Sequence, residues 1–300
     1  MQEAANDARP MAAHADPFER RADTAFSTPL RCMQTLLLLC TLAPLRLVLT
    51  TTCFMDALVL GRLALIGRAS SAAERPLSAW RHALLNRPLA LLARAALCGM
   101  GFHRIRVRGQ CRAKVVVANH VSYIDSIYLF AALLPRVCGL SGDLYDDPIL
   151  GPIQQALRWV PVARGGAIAG MRDAIRDTAI RRFLVFPEGR CSNGKQILAF
   201  HRGVFACACE CGAPIQPVVL RYVCGGGFDC SNTGRPEMIP WLMARGMLSW
   251  SHEMEVHWLP VMTPDTQHHE PPEVFAERVR HAMAKALDVP MVPQSFSSRL

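Results

Sequence analysis

A histidine and an aspartate stand close together where an apolar run of the sequence ends. Residues 115–129 read VVVANHVSYIDSIYL, with His120 directly after a β-branched run and Asp125 five positions later. If His120 lies in a loop and Asp125 in the first turn of the next helix, that turn brings the carboxylate back to the imidazole. Such a pair orients the ring and stabilises its cation, so the other ring nitrogen can take a proton from a hydroxyl group. The pattern predicts a general base.

Asp125 also has a purely structural interpretation. Ser122 and Asp125 have the spacing of a capping box, and an aspartate is favourable at a helix N-terminus in any case. These residues alone leave both interpretations open.

A second loop, PEGRCSNGK, also contains residues that could bind a ligand or take part in catalysis. It follows the apolar segment FLVF. Glu188 and Gly189 come directly after that predicted strand, and Arg190 and Lys195 are nearby. Exposed backbone amides and two cations suit an anion site, although ordinary turn residues on a surface loop would give the same pattern. In a parallel sheet, ligands bind beyond the carboxyl ends of the strands, where both loops would lie.

From about residue 103, predicted strands alternate with predicted helices, which indicates an α/β fold with a mainly parallel sheet flanked by helices. We predict strands in HRIRVRG, KVVVAN, RWVPV, FLVF, PIQPVVLRY and MEVHWLPV, and helices over 126–134, 149–158, 168–181, 202–211 and 272–287.

The N-terminal third has a different character. Residues 1–28 are polar and predict a disordered leader. Residues 32–67 are strongly apolar but are interrupted near Pro44, which predicts two short helices that enter a membrane without a simple straight crossing; two buried core helices are the alternative. Residues 88–102 predict an interfacial helix. We therefore divide the chain into a leader (1–28), a membrane-associated helical region (29–102), a catalytic domain (103–290) and a flexible tail (291–300).

Composition narrows the class of partner. Hydrophobic residues make up 51% of the chain, charged residues only 19%, and the formal net charge is +9. A basic balance favours an anionic partner such as phospholipid, and the scattered arginines argue against nucleic acid. The twelve cysteines form no Cys-x-x-Cys pair, and Cys207, Cys209 and Cys211 cannot converge on one ion from a helix. We interpret the cysteines as small core residues and expect no metal site.

Together and in this order, the two loops resemble the lysophospholipid/glycerol-phosphate acyltransferase family, the PlsC-like enzymes. The resemblance covers about 85–290 and rests on four segments: Asn119-His120 with Asp125, VPVAR at 160–164, FPEG at 186–189 and PIQP at 214–217. EGRCSNG, PIQPVVLRY and MEVHWLPVMTP further resemble the branch that acylates lysophosphatidylcholine and related lipids. One departure is that Arg190-Cys191 stands where many members have Thr-Arg.

The resemblance implies an acyl-CoA-dependent O-acyltransferase that acts at a phospholipid membrane on a lysophospholipid, of lysophosphatidylcholine or 1-acylglycerol-3-phosphate type, without a cofactor or metal. His120 would deprotonate the acceptor hydroxyl and Asp125 would hold His120. The implied substrate-binding residues are Asn119, Arg164, Glu188, Gly189, Arg190 and Pro217. Cys191 as an acyl-carrying nucleophile is a minor alternative.

Two other functions remain open from the sequence: a catalytically silent lipid-binding membrane protein of the same fold, and a lipid hydrolase in which the same histidine activates water. The apolar N-terminal region favours the endoplasmic reticulum membrane. The final residues Ser298-Arg299-Leu300 resemble a Ser-Lys-Leu import address and give a peroxisome-type organelle as the alternative.

Overall fold

The computed structural model describes residues 16–19, 27–67, 78–133, 137–142, 145–162, 167–223, 228–233 and 239–293. Its helices are α1 (Pro29–Cys40), α2 (Leu42–Leu65), α3 (Ala79–Gly99), α4 (Tyr123–Leu133), α5 (Gly151–Ala156), α6 (Ala167–Arg176), α7 (Gly203–Cys211), α8 (Ile239–Gly246) and α9 (Pro272–Leu287). Its strands are β1 (Arg104–Arg108), β2 (Val115–Ala118), β3 (Val137–Ser141), β4 (Val160–Pro161), β5 (Arg182–Val185), β6 (Ile215–Val223) and β7 (Glu253–Trp258).

The seven strands form one sheet in the order β1-β7-β6-β2-β5-β3-β4. Every neighbouring pair is parallel except β6 and β7, which run antiparallel. The predicted α/β fold with a mainly parallel sheet flanked by helices is therefore confirmed. β2 lies between β5 and β6, and all four of its residues are buried, as expected for a strand covered on both faces.

Hydrophobic layers cover both faces of the sheet. Val115 and Val117 of β2 point into a core formed with α6, α7 and α9. Val116 and Ala118 point to the other face, where α3 and α4 supply the opposing side chains. Because successive residues of a strand alternate between faces, one short apolar strand serves both cores.

Some predicted elements need correction. α6 ends at Arg176 rather than near 181, because the Asp177 carboxylate accepts a hydrogen bond from the Ala179 amide (2.7 Å) and so closes a turn instead of continuing the helix. β3 and α8 were not predicted. β3 contains Gly139, where a Cβ would lie 3.3 Å from the Trp159 ring, so a glycine stands where a β-branched residue would have signalled a strand.

The N-terminal region contains two successive helices, as predicted, but the second is not short. The break falls at Thr41, and Pro44 lies in the first turn of the 24-residue α2. A proline is tolerated there because the first backbone N–H groups of a helix have no intrahelical partner. The predicted helix at 88–102 begins earlier, at Ala79, and contains Pro88 in its interior.

Helix α2 has one face against the protein and one face exposed. Among the described helices it alone is long and apolar enough to cross a membrane, by length and composition. The buried residues recur along its whole length: Ala43, Arg46, Thr50, Cys53, Leu58, Gly61 and Ala64. Large apolar side chains cover its opposite side: Leu45, Leu47, Val48, Leu49, Met55, Val59 and Leu63.

Buried Arg46 fixes one end of α2 to the segment that follows α8. Its guanidinium donates hydrogen bonds to the carbonyl groups of Met247 (3.0 Å), Ser249 and Trp250 (2.8 Å), and its Nη2 lies 3.1 Å from His103 Nε2. Towards the other end of the helix, Arg62 donates to the Pro148 carbonyl (2.7 Å). The helix is therefore held at two widely separated points.

Several further predictions concern segments that the structure describes only in part. Of the predicted leader, residues 16–19 and 27–28 are described. Residues 294–300, which include Ser298, Arg299 and Leu300, lie outside the described residues. Among the residues that the structure describes, ten cysteines are in no disulfide, and of these Cys53, Cys138 and Cys207 are buried. Cys230 is disulfide-bonded, which the interpretation of the cysteines as small core residues did not predict.

We expect Arg46→Ala to destabilise the protein by about 2–3 kcal/mol, because three carbonyl groups, those of buried Met247 and Ser249 among them, would lose a charged donor. Arg62→Ala is the matched control on the same helix. Its single exposed hydrogen bond should contribute less than about 1 kcal/mol. Chemical denaturation in detergent measures both, and equal losses for the two variants would contradict the role given to Arg46.

Candidate active site

The loop that follows β2 and the loop that follows β5 lie side by side at one edge of the sheet. β2 and β5 are parallel neighbours, with Val117 opposite Val185, so the residues that follow them leave the sheet side by side. Asn119 and His120 follow β2, and the FPEG segment follows β5. This is the position where a parallel sheet binds its ligands.

The predicted histidine–aspartate pair is formed. His120 Nδ1 lies 2.9 Å from Asp125 Oδ2. The carboxylate has no solvent exposure, whereas 19% of the imidazole side chain is exposed. An aspartate at Nδ1 places the ring proton on that nitrogen and leaves the Nε2 lone pair to accept a proton from a bound group.

Asp125 also caps helix α4, so the two interpretations of this residue hold together. Its Oδ2 accepts hydrogen bonds from the backbone amides of Val121 (2.6 Å) and Ser122 (2.8 Å). Its Oδ1 accepts a hydrogen bond from the Tyr222 hydroxyl at the end of β6. An ionised carboxylate is only an acceptor, and four donors match it. The capping contacts hold the carboxylate in place for His120.

Glu188 holds the backbone of the same histidine. Its buried carboxylate accepts hydrogen bonds from the His120 amide (3.0 Å) and the Leu198 amide (3.1 Å). Burial raises the pKa of Glu188 to about 7, and the two amide hydrogen bonds only partly offset that effect. The carboxylate binds the chain itself, so Glu188 connects the FPEG loop to the loop after β2.

The imidazole of His120 is packed on one side and has a polar neighbour. The Phe186 ring stacks on it, with centroids 4.1 Å apart and planes inclined by 20°. The Cys191 side chain interacts electrostatically with the ring. Burial lowers the pKa of His120, but the charges and hydrogen bonds of Cys191 and Asp125 outweigh it and raise the pKa above its ordinary value of 6.5. The group is therefore a stronger base than a free imidazole.

Three of the predicted substrate-binding residues contact other parts of the chain and stabilise the structure around the site. Asn119 is buried and exchanges two hydrogen bonds with the Leu220 backbone, through Nδ2 (3.0 Å) and Oδ1 (2.8 Å). Pro217 lies in β6 opposite Val117. Gly189 has φ +72°, and a Cβ there would lie 2.6 Å from the His201 ring, so the turn requires glycine.

The two arginines that were predicted to bind substrate are Arg190 and Arg164. Arg190 is half-buried, and its guanidinium carbon lies 3.8 Å from the centroid of the Phe18 ring. Arg164 lies outside the described residues. In the part of the chain that the structure describes, no group of three or more His, Cys, Asp or Glu side chains could hold a metal ion.

Tyr222 is a site residue that the sequence analysis missed. It ends the predicted strand PIQPVVLRY, and the period of two places it on the face of Val218 and Leu220. Because β6 is the parallel neighbour of β2, a residue four positions beyond Val218 extends past the end of β2, where His120 lies. The alternation of residues along β6 was visible in the sequence. It indicates a place for Tyr222 beside His120 only once β6 is known to be the neighbour of β2.

Comparisons with known proteins agree with this geometry. Residues 100–221 match the sequence model of the acyltransferase family. The fold is similar to the crystal structure of the 1-acyl-sn-glycerophosphate acyltransferase PlsC from Thermotoga maritima, with a TM-score of 0.54 over 81% of this chain and 96% of that chain, at 17% identity. The fold is therefore PlsC-like, and residues 100–221 form an acyltransferase-family domain.

Curated proteins with similar sequences include lysophosphatidylcholine and lysophospholipid acyltransferases. The chain is 30% identical to lysophosphatidylcholine acyltransferase 1 from Danio rerio, over 90% of this chain and 53% of the relative. It is 31% identical to the lysophospholipid acyltransferase LPEAT2 from Arabidopsis thaliana, over 85% of this chain and 47% of the relative. The chain thus spans about half the length of the curated relatives it matches.

We expect Tyr222→Phe to raise the pKa of His120 by roughly half a unit. The Tyr222 hydroxyl donates a hydrogen bond to the Asp125 carboxylate and partly offsets its negative charge. Without that hydroxyl, the carboxylate attracts the His120 imidazolium more strongly and stabilises it further. Histidine-selective carbon-13 NMR of the full chain measures this titration. Tyr128→Phe removes a hydroxyl from α4, the helix of Asp125, as a control. An unchanged or lower pKa in Tyr222→Phe would refute the coupling.

Proposed function

We propose that the protein transfers the acyl group of an acyl-CoA to the free hydroxyl of a lysophospholipid. The observation that carries the proposal is the His120–Asp125 pair, in which the carboxylate is buried and the edge of the imidazole is open. The named activities of the relatives, which act on lysophosphatidylcholine and lysophospholipids, support the choice of acceptor.

The proposed reaction needs no cofactor or metal. His120 Nε2 takes the hydroxyl proton as the lipid oxygen attacks the thioester carbonyl. The new C–O ester bond forms, the C–S bond breaks, and the proton passes from His120 to the departing CoA thiolate. The reaction balances, because the ester and the free CoA together contain all the atoms of the two substrates and His120 returns the proton that it took.

The other residues have supporting roles in this scheme. Asp125 holds the ring and stabilises its cation while the proton is on it. Glu188 keeps the His120 backbone in position. Arg190 and Arg164 bind the acceptor phosphate, for which a planar guanidinium is well suited. Since the attacking oxygen belongs to the lipid, Cys191 does not carry the acyl group.

We further propose that α1 and the outer face of α2 hold the enzyme on a bilayer, at the endoplasmic reticulum. The exposed leucines and valines of these helices form an apolar surface of the kind that lies in a membrane interface. A long apolar N-terminal region commonly enters that membrane during synthesis, and imaging of the tagged full-length chain tests the location.

We expect His120→Ala to lower acyl transfer by a factor on the order of 10²–10⁴ while the fold persists, because the general base is lost. Release of CoA, measured with and without a panel of lysophospholipids, is the assay. His281→Ala, at an exposed position on α9, removes a histidine elsewhere as a control. Near-normal turnover of purified His120→Ala would refute the mechanism, and thioester cleavage independent of any acceptor would indicate a hydrolase.

The rate should rise with pH through the pKa of His120, because only the neutral imidazole accepts a proton. This acid limb should lie above pH 6.5, since the pKa is raised. Asp125→Asn removes the negative charge, so it should slow the reaction and move the limb to lower pH. A pH–rate profile measures both effects. A normal rate with lower stability would mean that Asp125 only caps the helix.

Membrane binding should weaken when the exposed apolar face is made charged. We expect Leu37→Glu with Val48→Glu to reduce flotation with phosphatidylcholine vesicles severalfold, since a buried carboxylate is costly in the apolar region. Val274→Glu is the matched control, because Val274 is also exposed but lies on α9, on the opposite side of the sheet. Equal binding by the double variant and the wild type would contradict the assignment.

A further inference from the structure

A short turn in front of α5 exposes two large apolar side chains. It consists of residues 147–150 (DPIL), and we call it the apolar turn. Ile149 is 54% exposed and Leu150 is 36% exposed. Single exposed leucines are ordinary on a protein surface, whereas an apolar patch that extends a larger one marks a site of interaction. The surroundings of the apolar turn therefore decide its meaning.

The exposure of these side chains is fixed by the backbone of the turn. The Asp147 carboxylate accepts hydrogen bonds from the amides of Ile149 (2.8 Å) and Leu150 (2.7 Å), and the Asp147 carbonyl accepts one from the Gly151 amide (2.8 Å). An aspartate commonly closes a turn in this way. The two apolar side chains are thus held outward by three hydrogen bonds within the turn.

The apolar turn lies beside the exposed face of α2. The Arg62 guanidinium donates to the carbonyl of Pro148, the residue before Ile149 (2.7 Å). Arg62 comes seven residues after Met55 and three after Val59, which are both exposed. Residues with this spacing share one face of a helix, so the Arg62 side chain leaves α2 from its exposed apolar face. The hydrogen bond places the apolar turn next to that face.

Close packing between α2 and α5 fixes the same arrangement. A Cβ at Gly61 of α2 would lie 3.0 Å from the Cα of Ile153 in α5, so the two helices touch through their backbones. α5 begins directly after the apolar turn. Because α5 cannot move away from α2 without breaking this contact, the apolar surface continues from α2 onto the apolar turn.

The connection that contains the apolar turn lies at the same edge of the sheet as the active site. It leaves β3 after Ser141 and reaches β4 at Val160, which pairs with Leu140 near the end of β3. β3 is parallel to β5, and β5 is parallel to β2, which His120 follows. Both ends of the connection are therefore at the carboxyl edge of the parallel strands.

We propose that the apolar turn is a second membrane contact, which enters the lipid interface together with α1 and the outer face of α2 and sets the orientation of the enzyme on the bilayer. The inference rests on the proposed function, which assigns the outer face of α2 to the membrane. Residues 145–150 include no lysine or arginine, so the attraction is apolar and suits a neutral phospholipid surface.

A second contact has a mechanical consequence. A single helix that lies in the interface can roll about its own axis, and the rest of the protein rolls with it. The apolar turn lies to one side of that axis, because Arg62 and Gly61 hold it and α5 beside α2. When α2 and the apolar turn are both in the lipid, the roll angle is fixed and the carboxyl edge of the sheet keeps one orientation to the bilayer.

Ile149→Trp tests the contact directly. The full chain is bound to phosphatidylcholine vesicles with ordinary or brominated acyl chains, and the wild-type spectrum is subtracted to remove the five native tryptophans. We expect the added emission to shift to shorter wavelength on the vesicles and to be quenched by the brominated lipid. Val274→Trp, on exposed α9, is the matched control and should show neither change. Equal emission of Ile149→Trp on the two lipids would overturn the inference.

A charge substitution tests the consequence for the reaction. We expect Ile149→Glu with Leu150→Glu to raise the KM for a long-chain lysophospholipid in vesicles about 3- to 10-fold, because two apolar side chains no longer enter the lipid and each replacement carries a charge. The kcat and the KM for a short-chain lysophospholipid dissolved in water should not change. An equal loss with both acceptors would mean that the turn supports the active site instead, and would refute the membrane contact.

The remaining outcomes separate this inference from the proposals on which it rests. If the patch serves a second copy of the chain, the double glutamate variant will sediment as a smaller species and Ile149→Trp will not respond to brominated lipid, which overturns the inference. If His120→Ala abolishes transfer and Ile149→Trp does not respond, the proposed function stands without the second contact. If Leu37→Glu with Val48→Glu leaves flotation intact, the membrane assignment of α1 and α2 itself fails.

Discussion

The arrangement of this active site depends on one buried carboxylate that serves four donors. Asp125 accepts from the His120 ring, from two backbone amides at the start of α4 and from the Tyr222 hydroxyl. Its contacts connect the loop after β2, the helix that follows and the end of β6. A charged group without solvent exposure is tolerated only when such donors surround it. Because the buried carboxylate needs all these donors, its position depends on three separate elements. The position of the imidazole depends on them as well.

A second buried carboxylate holds the same histidine from the other side. Asp125 binds the ring, whereas Glu188 binds the backbone amide of His120 and the amide of Leu198. Because both acidic groups bind donors from the chain, they orient the base from two directions. This explains why the FPEG segment has to follow the strand next to β2: at any more distant strand the glutamate could not reach the His120 amide.

Local patterns predicted the parts of the molecule that neighbouring residues determine. The β-branched run of β2, the loop after β5 and the histidine–aspartate pair all follow from residues close in sequence. What was missed depends on contacts between distant segments. Tyr222 reaches Asp125 only because β6 lies beside β2, and residues 16–19, which composition assigns to a polar leader, bind Asn193. β3 was hidden because Gly139 makes room for a tryptophan ring, a requirement that no local propensity expresses.

Helix α2 shows how composition alone gives an incomplete account of a membrane helix. Its length and hydropathy suit a span, yet Arg46 binds the Trp250 carbonyl, Arg62 binds the Pro148 carbonyl, and one face of the helix is buried between them. A helix held in this way exposes its apolar side along its length. Since α2 packs on α3, and α3 packs on α4, one helix lies between α2 and the helix that carries Asp125. In the proposed membrane-bound state, α3 would therefore connect the membrane-bound helix to the helix that positions the Asp125 carboxylate.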